Sequence, residues 1–146
     1  MNLSEQTIGH WIERAEQIAT AIHSEQKRTN GRPYIEHCKR VADNVEDRLK
    51  PIAWLHDTIE DHPEKISLED LKTEGFPTYI LEAVDLLTHR KGDTNMAYWK
   101  KILTNPDAVN VKLRDIHDNM SETPSDYARE KYGRALHLFK QAGYSL

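Results

Sequence analysis

Residues 53 to 61 read AWLHDTIED and place His56, Asp57, Glu60 and Asp61 directly after the apolar run Ile52, Ala53, Trp54 and Leu55. A histidine and three acids beside residues suited to a core need either open solvent or a compensating positive charge, because ionised groups are rarely buried without a partner or a metal. Imidazole and carboxylate are also the groups that ligate divalent ions and exchange protons near neutral pH. Two further stretches carry the same residue types. PYIEHCKRVADNV holds His37, and NPDAVNVKLRDIHDNM holds Asp115 and a second His-Asp pair, His117 and Asp118.

Helical periodicity is what positions these groups. Ile8, Trp11, Ile12, Ala15, Ile18, Ala19 and Ile22 make one apolar stripe, with Ser4 as its expected N-cap. QKRTNGRP ends that helix, and Pro33 suits the first turn of the next, along which Tyr34, Cys38, Val41 and Val45 recur. A helix over about residues 49 to 61 carries AWLHDTIED. Ser67 and Asp70 have the spacing of a capping box, and Gly75 to Pro77 close that short helix. Ile80, Ala83, Val84 and Leu87 mark another, ended by HRKGDT, and MAYWKKIL marks the one after it. Asn105-Pro106 and Pro124-Ser125 each open a helix, the last turning Tyr132, Leu136 and Phe139 inward. No stretch alternates as a strand does, so the expected fold is an all-α bundle of roughly seven or eight helices.

The bulk composition sets the surroundings. A chain of 146 residues reads as one domain, 1 to 146, able to bury a core without disulfides. Its single cysteine, Cys38, has no partner within the chain and fits a reducing, cytoplasmic setting. The N-terminal sequence has no signal-peptide pattern, and no apolar run approaches the ~20 residues of a membrane span. A net charge of −4 argues against a nucleic-acid groove. The expected partner is a small molecule, with no membrane and no nucleic acid.

On the helix over 49 to 61, Ile52, Leu55 and Ile59 form the buried stripe; His56 lies beside it, Glu60 shares its row, and Asp61 shares the row of Asp57. On the later helix the stripe is Val109, Leu113, Ile116 and Met120, with Ala108, Lys112, Asp115 and Asn119 running beside it. Asp118 falls nearly opposite, so it is expected to be solvated and irrelevant to metal binding. Taken singly, His37 is ordinarily an interfacial histidine, Asp115 an ion-pair partner of Lys112 or Arg114, and Glu60 with Asp61 a solvated helix end. Their conjunction on three helices carries more weight. Two imidazoles and two carboxylates, His37, His56, Asp57 and Asp115, could close on one divalent ion. Mixed nitrogen and oxygen ligation suits an octahedral Mn²⁺, Fe²⁺ or Ni²⁺ better than a closed zinc site.

RPYIEH, AWLHDTIED and VKLRDIHDNM, in that order, resemble the HD-domain metal-dependent phosphohydrolases. The pattern is most similar to the hydrolase domain of the RelA/SpoT-type alarmone enzymes and their small single-domain relatives, and it runs from about Arg28 to Arg134. The resemblance implies His37, His56, Asp57 and Asp115 as metal ligands, with Mn²⁺ as the expected ion. It implies Glu60 and Asp61 as the catalytic acids, Arg28 as a contact to substrate phosphate or base, and Asn119 as a contact to the nucleoside. The implied reaction removes pyrophosphate from the 3′ position of a guanosine tetra- or pentaphosphate. Three positions depart from the family pattern. Glu122 stands where a threonine is usual, His62-Pro63 follows the acidic pair in place of a small hydroxyl residue, and Thr29 follows Arg28 in place of a second basic residue. These leave the metal chemistry intact and bear on guanine recognition. The same chemistry on NADPH or a nucleotide phosphomonoester is therefore an alternative, as is a non-catalytic, metal-held nucleotide sensor, which would have no use for the Glu60-Asp61 pair.

Overall fold

Small side chains set the close packing between the first long helix and the centre of the molecule. Helix α1 (Glu5–Ile22) turns Ala15 and Ala19 inward, and helix α3 (Lys50–Leu55), against which it packs, presents Ala53. All five residues from Pro51 to Leu55 are buried, so α3 is a core helix without a solvent face. The computed structural model describes residues 5 to 122 and 124 to 146; Ser4, the expected N-cap of α1, lies outside the described residues.

The remaining helices are α2 (Ile35–Asp43), α4 (Thr58–Asp61), α5 (Leu68–Thr73), α6 (Thr78–Leu87), α7 (Asn95–Ile102), α8 (Pro106–Ser121) and α9 (Asp126–Gln141), with a 3₁₀ turn at Asp47–Leu49. The all-α expectation holds. Nine helical segments form among the described residues, or eight if α3 and α4 are taken as one interrupted helix. None of the helices among those residues is long and apolar enough to cross a membrane. Local signals act where the sequence places them. Ser67 and Asp70 form the capping box of α5, and the Asn105 side chain accepts from the backbone N–H groups of Asp107 and Ala108 ahead of Pro106. Pro33 is a correction: it lies two residues before α2, in an isolated bridge with Lys27. Between those two residues the chain reverses tightly, with Gly31 at φ 83°, and this turn carries Arg28.

The expected continuous helix over 49 to 61 is also corrected, since the helical run breaks at His56 and Asp57. Neither Gly nor Pro causes the break. His56 Nδ1 bonds the Ala53 carbonyl at 2.6 Å, and Thr58 Oγ1 donates to the Leu55 carbonyl at 2.8 Å. Side chains thus take carbonyls that continuing helical N–H groups would have used.

Helix α8 is the other central element. It packs on α2, α3, α6, α7 and α9. Its buried residues, Ala108, Val109, Val111, Leu113, Asp115, Ile116 and Asp118, cover far more than one stripe. Met120, expected on the apolar stripe, is exposed at the helix end. Ile116 is fully buried beside Asp115. Ile116→Ala is expected to destabilise the fold by about 2–5 kcal/mol in urea unfolding; a cost below about 1 kcal/mol would mean that the core around α8 collapses onto the gap.

Candidate metal centre and its cavity

Three segments converge on Asp115. Its Oδ1 lies 2.8 Å from His37 Nε2 on α2 and 3.2 Å from His56 Nε2 at the end of α3. Asp57 Oδ2 lies 2.9 Å from His56 Nε2 and 3.8 Å from His37 Nε2. One donor atom from each of His37, His56, Asp57 and Asp115 falls within 4.8 Å of the others. The structure therefore brings together the four residues that the sequence proposes as ligands. They sit deeper than a core rim: His37, His56 and Asp115 are buried, and Asp57 is half-buried.

The donor set fits a divalent ion. Each imidazole is held from behind at Nδ1, His37 by Asp118 Oδ2 at 2.6 Å and His56 by the Ala53 carbonyl at 2.6 Å. Both Nε2 atoms are thereby directed into the cluster, the orientation in which a histidine presents Nε2 to an ion. The carboxylates are ready to ligate. Burial opposes ionisation of Asp57, but the adjacent His56 holds its carboxyl at about 2. Burial likewise opposes ionisation of Asp115, and the Lys112 ammonium, 2.8 Å from its Oδ2, together with the two histidines keeps it well below the usual carboxylate range. The Tyr34 hydroxyl donates to Asp57 Oδ2, and burial with the Asp57 charge keeps that phenol protonated.

Asp118 is the main correction to the sequence reading. It does not face solvent. Its carboxylate accepts from His37 Nδ1 and, in a forked pair, from Arg40 Nε at 2.6 Å and Nη2 at 3.1 Å. Burial works against its charge, and the bonds from His37 and Arg40 hold its pKa at about 2. A signal was available. His37 and Arg40 are spaced i, i+3 on α2, as are Asp115 and Asp118 on α8, so two short rows of opposite polarity can face each other. Tyr34 recurs in sequence as a core position, and the structure places its hydroxyl at the cluster, one helical turn before His37.

Asp57 and Asp115 open onto a cavity of about 250 Å³ whose wall includes Glu60, Asp61, Arg28, Asn119 and Tyr132. Burial, reinforced by the Asp57 charge, raises the pKa of both Glu60 and Asp61. Each is also held by a donor: the His89 backbone N–H reaches Glu60 Oε1 at 2.7 Å, and Gln26 Nε2 reaches Asp61 Oδ2 at 3.1 Å. Arg28 Nη2 donates to Asn119 Oδ1 at 2.8 Å, and Asn119 Nδ2 donates to Asp115 Oδ1 at 3.3 Å. Glu122 is not a solvated helix end. It pairs with Arg28 Nε at 2.8 Å, with Arg40, and with Asn30 Nδ2 at 3.1 Å. Of the basic stretch after α6, His89 lines the cavity and stacks on Tyr98 with ring centroids 4.3 Å apart. Arg90 pairs with Asp85 at the surface, and Lys91 is exposed.

Among solved structures, the fold is shared with a metazoan ortholog of SpoT, a protein described as hydrolysing ppGpp and playing a role in starvation responses. The TM-score is 0.66 over 97% of this chain and 85% of that one, at 21% sequence identity. The chain thus has the all-α HD-domain fold. No protein-family model matches the sequence, and no curated protein matches it.

Since Asp118 holds the ring of His37, Asp118→Asn is expected to weaken the affinity of the cluster for a divalent ion, probed with Mn²⁺, by about 10–100-fold, the usual effect of losing such an outer carboxylate. Isothermal titration calorimetry measures this directly. His117→Ala, at an exposed position, serves as the control and should bind as wild type. Equal affinity in Asp118→Asn and wild type would remove Asp118 from the support of His37.

Proposed function

We propose that the chain is a single HD-type phosphohydrolase domain, residues 1 to 146, that holds one divalent ion, Mn²⁺ in our reading, on His37, His56, Asp57 and Asp115. Its reaction removes pyrophosphate from the 3′ position of a guanosine tetra- or pentaphosphate alarmone. The observation that carries this reading is one cavity in which Asp57 and Asp115 of the four-donor cluster meet the acids Glu60 and Asp61 and the cation Arg28. The order of the motifs, and the fold shared with a protein described as hydrolysing ppGpp, support the choice of substrate.

A divalent ion in the cluster supplies Lewis acidity toward a phosphate oxygen and toward water. The chain's own groups do the rest. In the hydrolysis, water oxygen bonds to the phosphorus attached to the ribose 3′ oxygen, and the bond between that phosphorus and the 3′ oxygen breaks. One water proton passes to a carboxylate and the 3′ oxygen gains a proton, so the products are pyrophosphate and the nucleotide with a free 3′ hydroxyl. Glu60 and Asp61 are the groups for these transfers. Both line the cavity beside Asp57 and Asp115, and the His89 N–H fixes the direction of Glu60 before substrate arrives. Lys112 keeps Asp115 ionised, while Arg28 and Asn119, bonded to each other, form the wall that meets the nucleoside end.

One observation favours a second reading. The Arg28 guanidinium is paired with Glu122, so it offers less net positive charge to a polyphosphate. That suits a nucleotide with fewer phosphates, such as the phosphomonoester of NADPH. The Glu60-Asp61 pair facing the cavity speaks against a sensor without catalysis. A turnover screen of the Mn²⁺-loaded protein against alarmones, NADPH and nucleoside mono-, di- and triphosphates separates the readings. Pyrophosphate release from the alarmone at the highest kcat/KM is the expected result. Phosphate release from NADPH or monophosphates alone would select the second reading, and full metal loading without any turnover would select the sensor.

Two variants sharpen the assignment. Glu60→Gln should keep its Mn²⁺ and lose turnover by a factor of about 10²–10⁴, the span of a positioned acid or base; an unchanged kcat would take Glu60 out of the mechanism. Glu122→Thr frees Arg28 and should shift kcat/KM toward the alarmone over NADPH by several-fold, about 1 kcal/mol of discrimination. The same ratio in both proteins would show that the pair is structural only.

A further inference from the structure

Beside the acidic wall of the cavity lies a polar cluster that none of the assigned roles uses. His23, one residue beyond α1, is 1% exposed. Its Nδ1 is 2.7 Å from Gln26 Oε1, and its Nε2 has no hydrogen-bond partner among the described residues. His62, at the end of α4, places Nε2 2.6 Å from the same Gln26 oxygen. The other end of the amide reaches Asp61. The backbone of Gln26 is fixed as well, its N–H donating to the His23 carbonyl at 3.0 Å and its carbonyl accepting from the Tyr34 N–H at 2.9 Å.

We infer that Gln26 is a positioning residue for Asp61, held in one amide orientation by His23 and His62 so that its N–H always points at the Asp61 carboxylate. The inference rests on the role proposed above for Asp61. The orientation follows from the partners. Burial lowers the pKa of His23, so its ring is neutral and carries one proton. That proton serves the Gln26 bond, because Nε2 has nothing to donate to. Gln26 Oε1 is then the acceptor for His23, and the amide nitrogen is left for Asp61. His62 Nε2 lies on the same oxygen at 2.6 Å, with its Nδ1 3.3 Å from Glu64 Oε1. A reversed amide would set its oxygen against the Asp61 carboxylate and its N–H groups against the His23 N–H. With Oδ2 of Asp61 engaged by Gln26, proton exchange falls to Oδ1. His62 is one of the chain's departures from the family pattern, and it acts on the acidic pair through this amide.

Gln26→Glu tests the inference because it is nearly isosteric. It keeps an acceptor for both histidines, which preserves the cluster, and replaces only the donor to Asp61 with a second carboxylate. The Mn²⁺-loaded variant should fold, bind Mn²⁺ within twofold of wild type and keep KM for ppGpp within twofold, while kcat falls about 10–100-fold, part of the effect of a positioned acid or base. Gln26→Asn, too short to span the cluster, should lose kcat similarly. A merely structural role would instead lower thermal stability and metal affinity together. A kcat within twofold of wild type in Gln26→Glu, with Glu60→Gln inactive, overturns the inference and leaves the functional reading standing. If wild type itself fails to hydrolyse ppGpp, the functional reading falls, and the crystal structure of Gln26→Glu decides this point. Without the Gln26 donor the Asp61 carboxylate should turn away from residue 26, and an Asp61 side chain in the same place as in wild type overturns the inference.

Discussion

A carboxylate buried in the middle of a central helix must be matched by positive charge, and Asp115 on α8 imposes that condition on everything around it. Lys112 answers it from the preceding turn, and His37 and His56 answer it from α2 and α3. The compensation continues outward with alternating sign. His37 is backed by Asp118, Asp118 by Arg40, Arg40 by Glu122, and Glu122 by Arg28 at the cavity wall. Removing Asp118 would leave the fully buried His37 without its outer counter-charge, a more costly state than never having had the pair. The line therefore fixes the register of α2 against α8 and carries the turn around Gly31 into place.

The cavity divides its tasks among separate elements. The four-donor cluster comes from α2, α8 and the junction after α3, the acidic pair from α4, and the wall proposed to meet the nucleoside from the turn carrying Arg28 together with the end of α8. Each acid is held by a donor from outside its own helix, Glu60 by the loop after α6 and Asp61 by the loop after α1. Changes at that wall can thus be made without disturbing the four-donor cluster directly, provided the ion pairs through Glu122 and Arg40 are preserved. The likeness to the metazoan SpoT ortholog is one of fold.

Much of the fold was legible because its signals are local. Ser67 with Asp70, Asn105 with Pro106, and Pro124 with Ser125 mark helix starts by hydrogen bonds within a few residues. The convergence of His37, His56, Asp57 and Asp115 was legible too, because periodicity brought all of them near the core. Asp118 was not, because a single helical wheel assumes one buried face, and α8 is surrounded on several sides. The break at His56 was equally hidden, since side chains rather than Gly or Pro make it. Gln26 and Tyr34 gain their roles only from residues distant in sequence, so no local pattern marks them.

The interrupted helix at His56 bears on how ligand substitutions should be interpreted. The imidazole that faces the cluster through Nε2 also takes the Ala53 carbonyl through Nδ1, so it helps end α3 as well as contributing a donor. A side chain unable to make that second bond leaves α3 free to run on toward Thr58, which would rotate Asp57 and the acids after it. An alanine at this position thus combines donor removal with backbone rewinding, unlike at His37, which sits inside a regular helix. Replacements that keep a group able to bond the Ala53 carbonyl, such as asparagine, separate the two effects more cleanly than alanine does.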